Sequence, residues 1–375
     1  MEITARKPLN LIWLPALGLP AVGIALFYLL RGNRQLMDGW LTWVMRPAEQ
    51  FLGRIWALFP FSVAEVLIAA AIIALVVWLV RALILLLCQR SISAFFKRLL
   101  VVAAAALWFW CGLCWSWNVS YYATTFTEKS GLSSQGHSPQ ELLYTTIWFA
   151  QHTAELSTQI QRDEEGMFAE DQEDYFRRGV EIYENFEKEF PFLQMESVRT
   201  KPLVFSRLQS ALGFTGMYFP FTGEANVNVH APACLRPVTI AHEMSHQRMV
   251  ASELEANFVG IAASIASDDV VFQYSGYLLG LIELGNSLNR ISPELWRQVM
   301  LTYFTPELRA DWNDNHYYWK ERESKAEEVA EQTYDSFLKG NGQALGIASY
   351  GACVDLLITY YLPRALPVPA AFEGT

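Results

Sequence analysis

Histidine is scarce in this chain, six residues in 375, and cysteine is scarcer, at five. Three of the cysteines, Cys88, Cys111 and Cys114, fall in apolar runs, so only Cys234 and Cys353 are left as a pair that a disulfide could join, and the cysteines do not decide the compartment. Positive charge is also in short supply. With 28 Lys and Arg against 38 Asp and Glu, the net charge is −10 and no basic patch stands out, which excludes nucleic acid as an expected partner. Apolar residues make up 52% of the chain, enough for one large domain or two smaller ones.

These apolar residues are not evenly spread. Leu11 to Leu30, LIWLPALGLPAVGIALFYLL, carries no charge, and at about 1.5 Å per residue it spans roughly 30 Å of hydrocarbon. It is too long for a signal-peptide core, and no small-residue cleavage site follows before Arg31. A second span is expected over 63–88, broken only by Glu65 and Arg81, and a third over 99–117, ending in the Trp-rich WFWCGLCWSW that suits a membrane interface. Between the first two, 39–61 mixes Trp40, Trp43 and Trp56 with Arg46 and Arg54, as an interfacial amphipathic helix would. Arg6, Lys7, Arg90, Lys97 and Arg98 outnumber the basic residues of the first loop. That bias puts the N-terminus in the cytoplasm and residues 121–375 outside it. The expected partners are thus a lipid bilayer and whatever the outer domain acts on.

Two of the six histidines stand four residues apart. His242, Glu243 and His246 spell H-E-x-x-H inside TIAHEMSHQRMVASELEANFVG. On a helix, residues i and i+4 share a face, so both imidazoles reach one metal ion with Glu243 beside it. In zinc hydrolases two His and a third ligand hold the ion, leaving a position for water whose pKa falls towards roughly 7. The adjacent carboxylate takes the proton from that water and later delivers it to the leaving amine. The flanking Thr239, Ile240, Met244 and Ser245 are uncharged, as suits a buried metal helix, whereas Arg248 departs from the apolar residue preferred there.

The remaining chain reads as a water-soluble domain. Ser138, Pro139 and Glu141 open a helix with a capping box. A second helix is expected over 171–190, and two or three short strands over 201–229, the last next to the metal helix, where a zinc peptidase commonly pairs with extended substrate. Long helices follow to about Phe337, with a start at Thr305-Pro-Glu-Leu and a solvated face over 320–331. His152, beside Trp148 and Phe149, suits packing, and His230 suits a solvated loop. The apolar stretch 345–362 carries Asp355 at its middle, which favours a buried helix over a fourth span.

A third metal ligand must come from nearby. On an unbroken helix Glu253 would lie about 16 Å along the axis from His242 and could not reach. The chain must therefore turn between Arg248 and Ser252 and begin a new helix. Ser252 with Glu255 fits a capping box, which leaves Glu253 as the more available ligand and Glu255 as the alternative.

HEMSH followed by ELEAN resembles the gluzincin group of zinc metallopeptidases, including membrane peptidases of the HtpX and CAAX prenyl-protease type, whose second motif is E-x-x-x-D or E-x-x-A-D. The resemblance implies that Glu253 is the ligand, that Ala256 matches the Ala, and that Asn257, standing where Asp is usual, orients a histidine ligand. The gap from His246 to Glu253 is much shorter than in those peptidases. FPFSVAE, GEANVN, HEMSHQR, ELEANF and SYGACVDLL together resemble, from residue 59 to the end, an uncharacterised bacterial family of membrane proteins defined only as a domain of unknown function. In that family HQR is followed by Gly, and here Met249 stands in its place. For the oxyanion donor the options are Tyr350 and His316.

The expected protein is mainly α with a small β element: a membrane anchor over 1–120 and a zincin-like α+β domain over 121–375. The expected function is zinc-dependent hydrolysis of a peptide or protein, with Glu243 as base and Tyr350 as stabiliser. The alternative is a non-catalytic zincin-like membrane sensor or cell-envelope assembly factor. Chemistry inside the bilayer is disfavoured, because the motif lies more than a hundred residues beyond the last span.

Overall fold

The computed structural model describes residues 13–132, 136–343 and 353–365, and helix dominates it, with one small sheet. It divides into two units, residues 1–45 with 64–123, and residues 46–63 with 124–375.

In the first unit, three helices are long and apolar enough to cross a membrane: α1 (Trp13–Leu30), α2 (Val63–Leu87) and α3 (Ile92–Ser116). Little of their apolar surface is covered by protein, as befits side chains whose solvent is hydrocarbon. The third helix begins at Ile92 and not at Leu99, so it takes in Lys97 and Arg98. Long basic side chains near a helix end are tolerated there because their stems carry the charge outward. Arg98 packs its guanidinium 4.5 Å from the ring centre of Trp78, whose indole N–H donates to the Arg98 carbonyl at 3.1 Å. Helices α1 and α3 meet at Gly23, where a Cβ would stand 2.6 Å from the Cys111 sulfur, and Trp115 donates to the Gly23 carbonyl at 2.9 Å. Only a glycine permits that approach.

The second unit starts with the helix Arg46–Trp56, which follows a wider turn over Leu41–Met45. Its pattern is inverted for a soluble helix, since Glu49 and Gly53 are buried while Phe51 is 64% exposed. Tyr218 donates to the Glu49 carboxyl, which burial pushes up to about 8. The expected strands are present as β1 (Lys201–Pro202), β2 (Gly216–Phe219) and β3 (Glu224–Val227), in the order β1-β3-β2. β1 runs parallel to β3 and β2 antiparallel to it, with Gly216 opposite Val227 and Phe219 opposite Glu224. A buried Lys201–Glu224 pair at 2.6 Å ties the sheet to the segment after the first helix, because the same ammonium donates to the carbonyls of Trp56 and Phe61.

Helix α4 (Phe126–Ser130) precedes α5 (Pro139–Ser157), which has the expected capping box, with the Ser138 N–H donating to Glu141 at 2.7 Å. His242, Glu243 and His246 lie on α6 (Arg236–Gln247), followed by α7 (Glu253–Ala266) and α8 (Val270–Ile291). Helices α9 (Lys325–Gly340) and α10 (Cys353–Ala365) come later. Phe149 of α5, Phe258 of α7, Leu281 of α8 and Leu357 of α10 belong to one buried apolar cluster. The helix expected from Thr305 is present as Pro306–Lys320. The described part of 345–362 is a buried helix of this unit, not a span, with His137 at 3.1 Å from the Asp355 carbonyl.

One expected helix is interrupted. The helix over 171–190 is broken into Gln172–Arg178, a tight turn Gly179–Glu181 and Phe186–Glu189. A Cβ at Gly179 would stand 3.1 Å from Ile240, and the break lets Tyr183 donate to the Ala241 carbonyl of α6 at 2.7 Å. Packing onto α6 overrides local helical periodicity here. Cys234 and Cys353 are not joined: each is a free thiol buried in the core, where burial raises its pKa well above the usual value and leaves it inert.

Candidate metal centre

The centre is built where the chain reverses between α6 and α7. Val250 N–H donates to the Ser245 carbonyl at 3.1 Å and Met249 N–H to the His246 carbonyl at 3.0 Å, with Met249 at φ 65°. This is a Schellman close, whose left-handed position usually holds glycine. The family resemblance expects glycine there, so Met249 occupies it at a steric cost of about 1–2 kcal/mol. The turn also returns the Val250 carbonyl to His246, which donates from Nδ1 at 2.7 Å. That bond fixes the tautomer, with the proton on Nδ1 and the lone pair of a metal ligand on Nε2.

Ser252 then caps α7 by its backbone position alone, without a side-chain hydrogen bond, so the expected capping box with Glu255 does not form. Glu255 acts instead as a cap for α4, accepting from the N–H groups of Phe126 at 3.0 Å and Thr127 at 2.9 Å and from the Thr127 hydroxyl at 2.7 Å. Both its oxygens are committed away from the histidines, which removes it as the alternative ligand. Glu253, at the first position of the same helix, faces the other way. Its carboxylate lies 3.2 Å from His242 Nε2 and 3.8 Å from His246 Nε2. Among the described residues, His242, His246 and Glu253 are the group of ligand atoms that converges, all within 4.8 Å of one another. The helices cross closely enough to allow this because Gly260 faces α6, where a Cβ would stand 2.8 Å from the His242 backbone nitrogen.

Electrostatics set these groups apart. Burial pushes Glu253 up, but the His242 hydrogen bond, the two imidazoles and the Tyr334 hydroxyl together bring it down to about 2. Burial pulls His246 down to about 4. Burial also acts to lower His242, yet its bond to Glu253, the nearby Glu243 and a hydrogen bond donated to Asn257 raise it overall. Asn257 thus sits where the second motif expects the residue that orients a histidine. Glu243 is 3% exposed, burial raises it to about 8, and its Oε2 makes no hydrogen bond. Gly216 of β2 makes room for it, since a Cβ there would stand 2.4 Å from Glu243 Oε1.

Arg248 is buried, with its guanidinium 3.7 Å from the Tyr183 ring centre, 2.7 Å from Glu187 and 2.9 Å from the Ser197 hydroxyl. Its unusual identity serves packing behind the site. His152 stacks on Tyr277 with ring centres 5.0 Å apart, as a half-buried packed residue, and His230 is exposed beside Arg207. His316 is exposed on its helix and is no part of the cluster, and Tyr350 lies outside the described residues.

Sequence reasoning missed Tyr334. It lies on α9, its hydroxyl donates to Glu253, and it lines a pocket of about 390 Å³ together with His242 and Asn257. A tyrosine 81 residues beyond Glu253, in the charged run KAEEVAEQTYDSF, carries no local sign of that role. Tyr218 of β2 was missed as well: its ring centre is 6.3 Å from that of His246.

Among curated proteins and solved structures, no match was found. Residues 42–358 match the family described as protein of unknown function (DUF3810), and the chain belongs to that family.

Proposed function

We propose that this DUF3810 member is a membrane-anchored, zinc-dependent peptidase of zincin-like fold. The carrying observation is the convergence of His242, His246 and Glu253 beside a buried Glu243 with one unbonded oxygen. Two imidazole nitrogens and one carboxylate suit zinc, and the hydrogen bonds of His246 to Val250 and of His242 to Asn257 are the outer contacts that such ligands usually have. When bound, zinc supplies Lewis-acid polarisation and brings the pKa of a water nucleophile to roughly 7. His242 and Glu253, 3.2 Å apart, would have to be deprotonated to hold a metal, so its affinity would fall in acid.

The chain's own groups carry the rest. Glu243 takes the proton of the attacking water at a carboxylate oxygen and passes it to the departing amine nitrogen. Its raised pKa suits both halves of that transfer. Tyr334 holds Glu253 in place through its hydroxyl. Strand β2 pairs only with β3 among the described residues, which leaves its outer edge for an extended peptide. The slight excess of basic residues at the N-terminus and between the second and third spans supports a site outside the cytoplasm, facing the cell envelope.

The test is hydrolysis of a mixed peptide set by the full chain in lipid nanodiscs. Glu243→Gln is expected to lower the rate by about 10²–10⁴ with zinc content unchanged. Equal rates in wild type and variant would remove the base assignment.

A further inference from the structure

The pocket beside His242 has a chemistry of its own. At about 390 Å³ it lies in the size range of ligand sites. His242 and Tyr334 stand on its lining, so anything seated in it touches the metal centre. Phe214, Leu235, Val238 and Leu279 give it apolar walls. Three carboxylates, Glu283, Glu327 and Glu331, also line it, and no Lys or Arg does.

Glu283 is the informative one. It projects from α8, is half-buried, and has no hydrogen bond or ion pair among the described residues. The one counter-charge acting on it is Arg290, seven residues along the same helix and itself exposed. Burial pushes its carboxyl up to about 7, as expected of a group short of positive partners. Glu327 stands at the entrance with one oxygen engaged by the Ser324 N–H at 3.2 Å, and Glu331 is exposed at the rim. A half-buried carboxyl without a positive partner, in a pocket lined by two more acids and no base, favours a cationic group placed against it.

The form of the cation follows from the spacing. The three pocket carboxylates do not converge as metal ligands, because the convergent group among the described residues is His242, His246 and Glu253. A divalent ion would therefore find no cage. A charge at the end of an apolar stem matches apolar walls with an acid beyond them.

We propose that this pocket is the specificity site and that it takes a lysine or arginine side chain next to the scissile bond, with Glu283 as its counter-charge. The assignment rests on the peptidase reading above, so its test separates the two. Peptides of the form Ala-Ala-X-Ala-Ala, with X as Arg, Lys, norleucine or Glu, are titrated against the full chain in nanodiscs carrying Glu243→Gln, and cleavage of the same peptides is followed with wild type. The Arg and Lys peptides are expected to bind about 30-fold tighter than norleucine, and adding Glu283→Gln removes that advantage. This isosteric change relieves an unpaired carboxyl, so the fold is expected to survive it, and an unchanged melting temperature checks this. Glu331→Gln, at the exposed rim, is expected to cost only a few-fold. Binding that depends on Glu283, with no peptide cleaved by wild type, keeps the pocket assignment and sinks the peptidase reading. Cleavage without basic preference keeps the peptidase and overturns the pocket, as does the absence of binding by any basic peptide.

Discussion

The three long apolar helices and the α6–α7 pair are inverted images of each other. Helix α2 turns Ile73 outward at 64% exposure and Leu87 at 66%, whereas α6 and α7 enclose Glu243, Arg248, Glu253 and Glu255 at 3–8%. Each arrangement is unfavourable in water alone. Outward apolar side chains require a hydrocarbon solvent, and inward charges require partners of opposite sign or hydrogen-bond donors. The second region meets that demand unevenly: Glu255 has three donors and Arg248 has Glu187, but Glu243 Oε2 has none. Where burial is compensated, the residue holds the fold together. Where it is not, the residue is the candidate for chemistry.

The sharpest contrast between these regions is the cost of one arginine. Ile73→Arg, near the middle of α2, is expected to cost about 2.5–3.5 kcal/mol of membrane insertion. Leu301→Arg, at a position 71% exposed in the second unit, is expected to change stability by less than about 0.5 kcal/mol. An insertion assay on the first and thermal unfolding of the second make the comparison. Equal effects would show that α2 does not face lipid.

Next comes the division between two glutamates on one helix. Glu255→Ala strands the N–H groups of Phe126 and Thr127 and is expected to cost about 1–3 kcal/mol of stability, leaving zinc content intact. Unfolding midpoints with metal analysis on the same samples check this, and loss of zinc in that variant would return Glu255 to the ligand set.

The smallest expected effect is at the turn. Met249→Gly removes the left-handed strain, so a gain of about 1 kcal/mol less the entropic cost of glycine is expected in denaturant titration, with ligand geometry unchanged. A loss of stability would mean that the Met249 side chain contributes more than its backbone costs.

How much of this could be read from sequence follows from the range of each interaction. The spans were legible because hydrocarbon selects for composition, and the α5 cap because Ser138 and Glu141 are three residues apart. The turn after Gln247 was legible from reach alone, since Glu253 could not otherwise approach His242. What stayed hidden was long-range. Nothing near Glu255 signals that it caps a helix 128 residues earlier, and nothing near Tyr334 signals Glu253. The break at Gly179 was obscured by good local periodicity that close packing on Ile240 overrides. The pairing of Cys234 with Cys353 was suggested by elimination only, and elimination does not contain distance.

The central claim is that His242, His246 and Glu253 form one metal site, and the metal content of the purified full chain tests it most directly. Elemental analysis after dialysis against trace zinc is predicted to give about one zinc per chain for wild type and essentially none for a folded His246→Ala variant. Equal and negligible zinc in both, or equal zinc in both, would contradict the account.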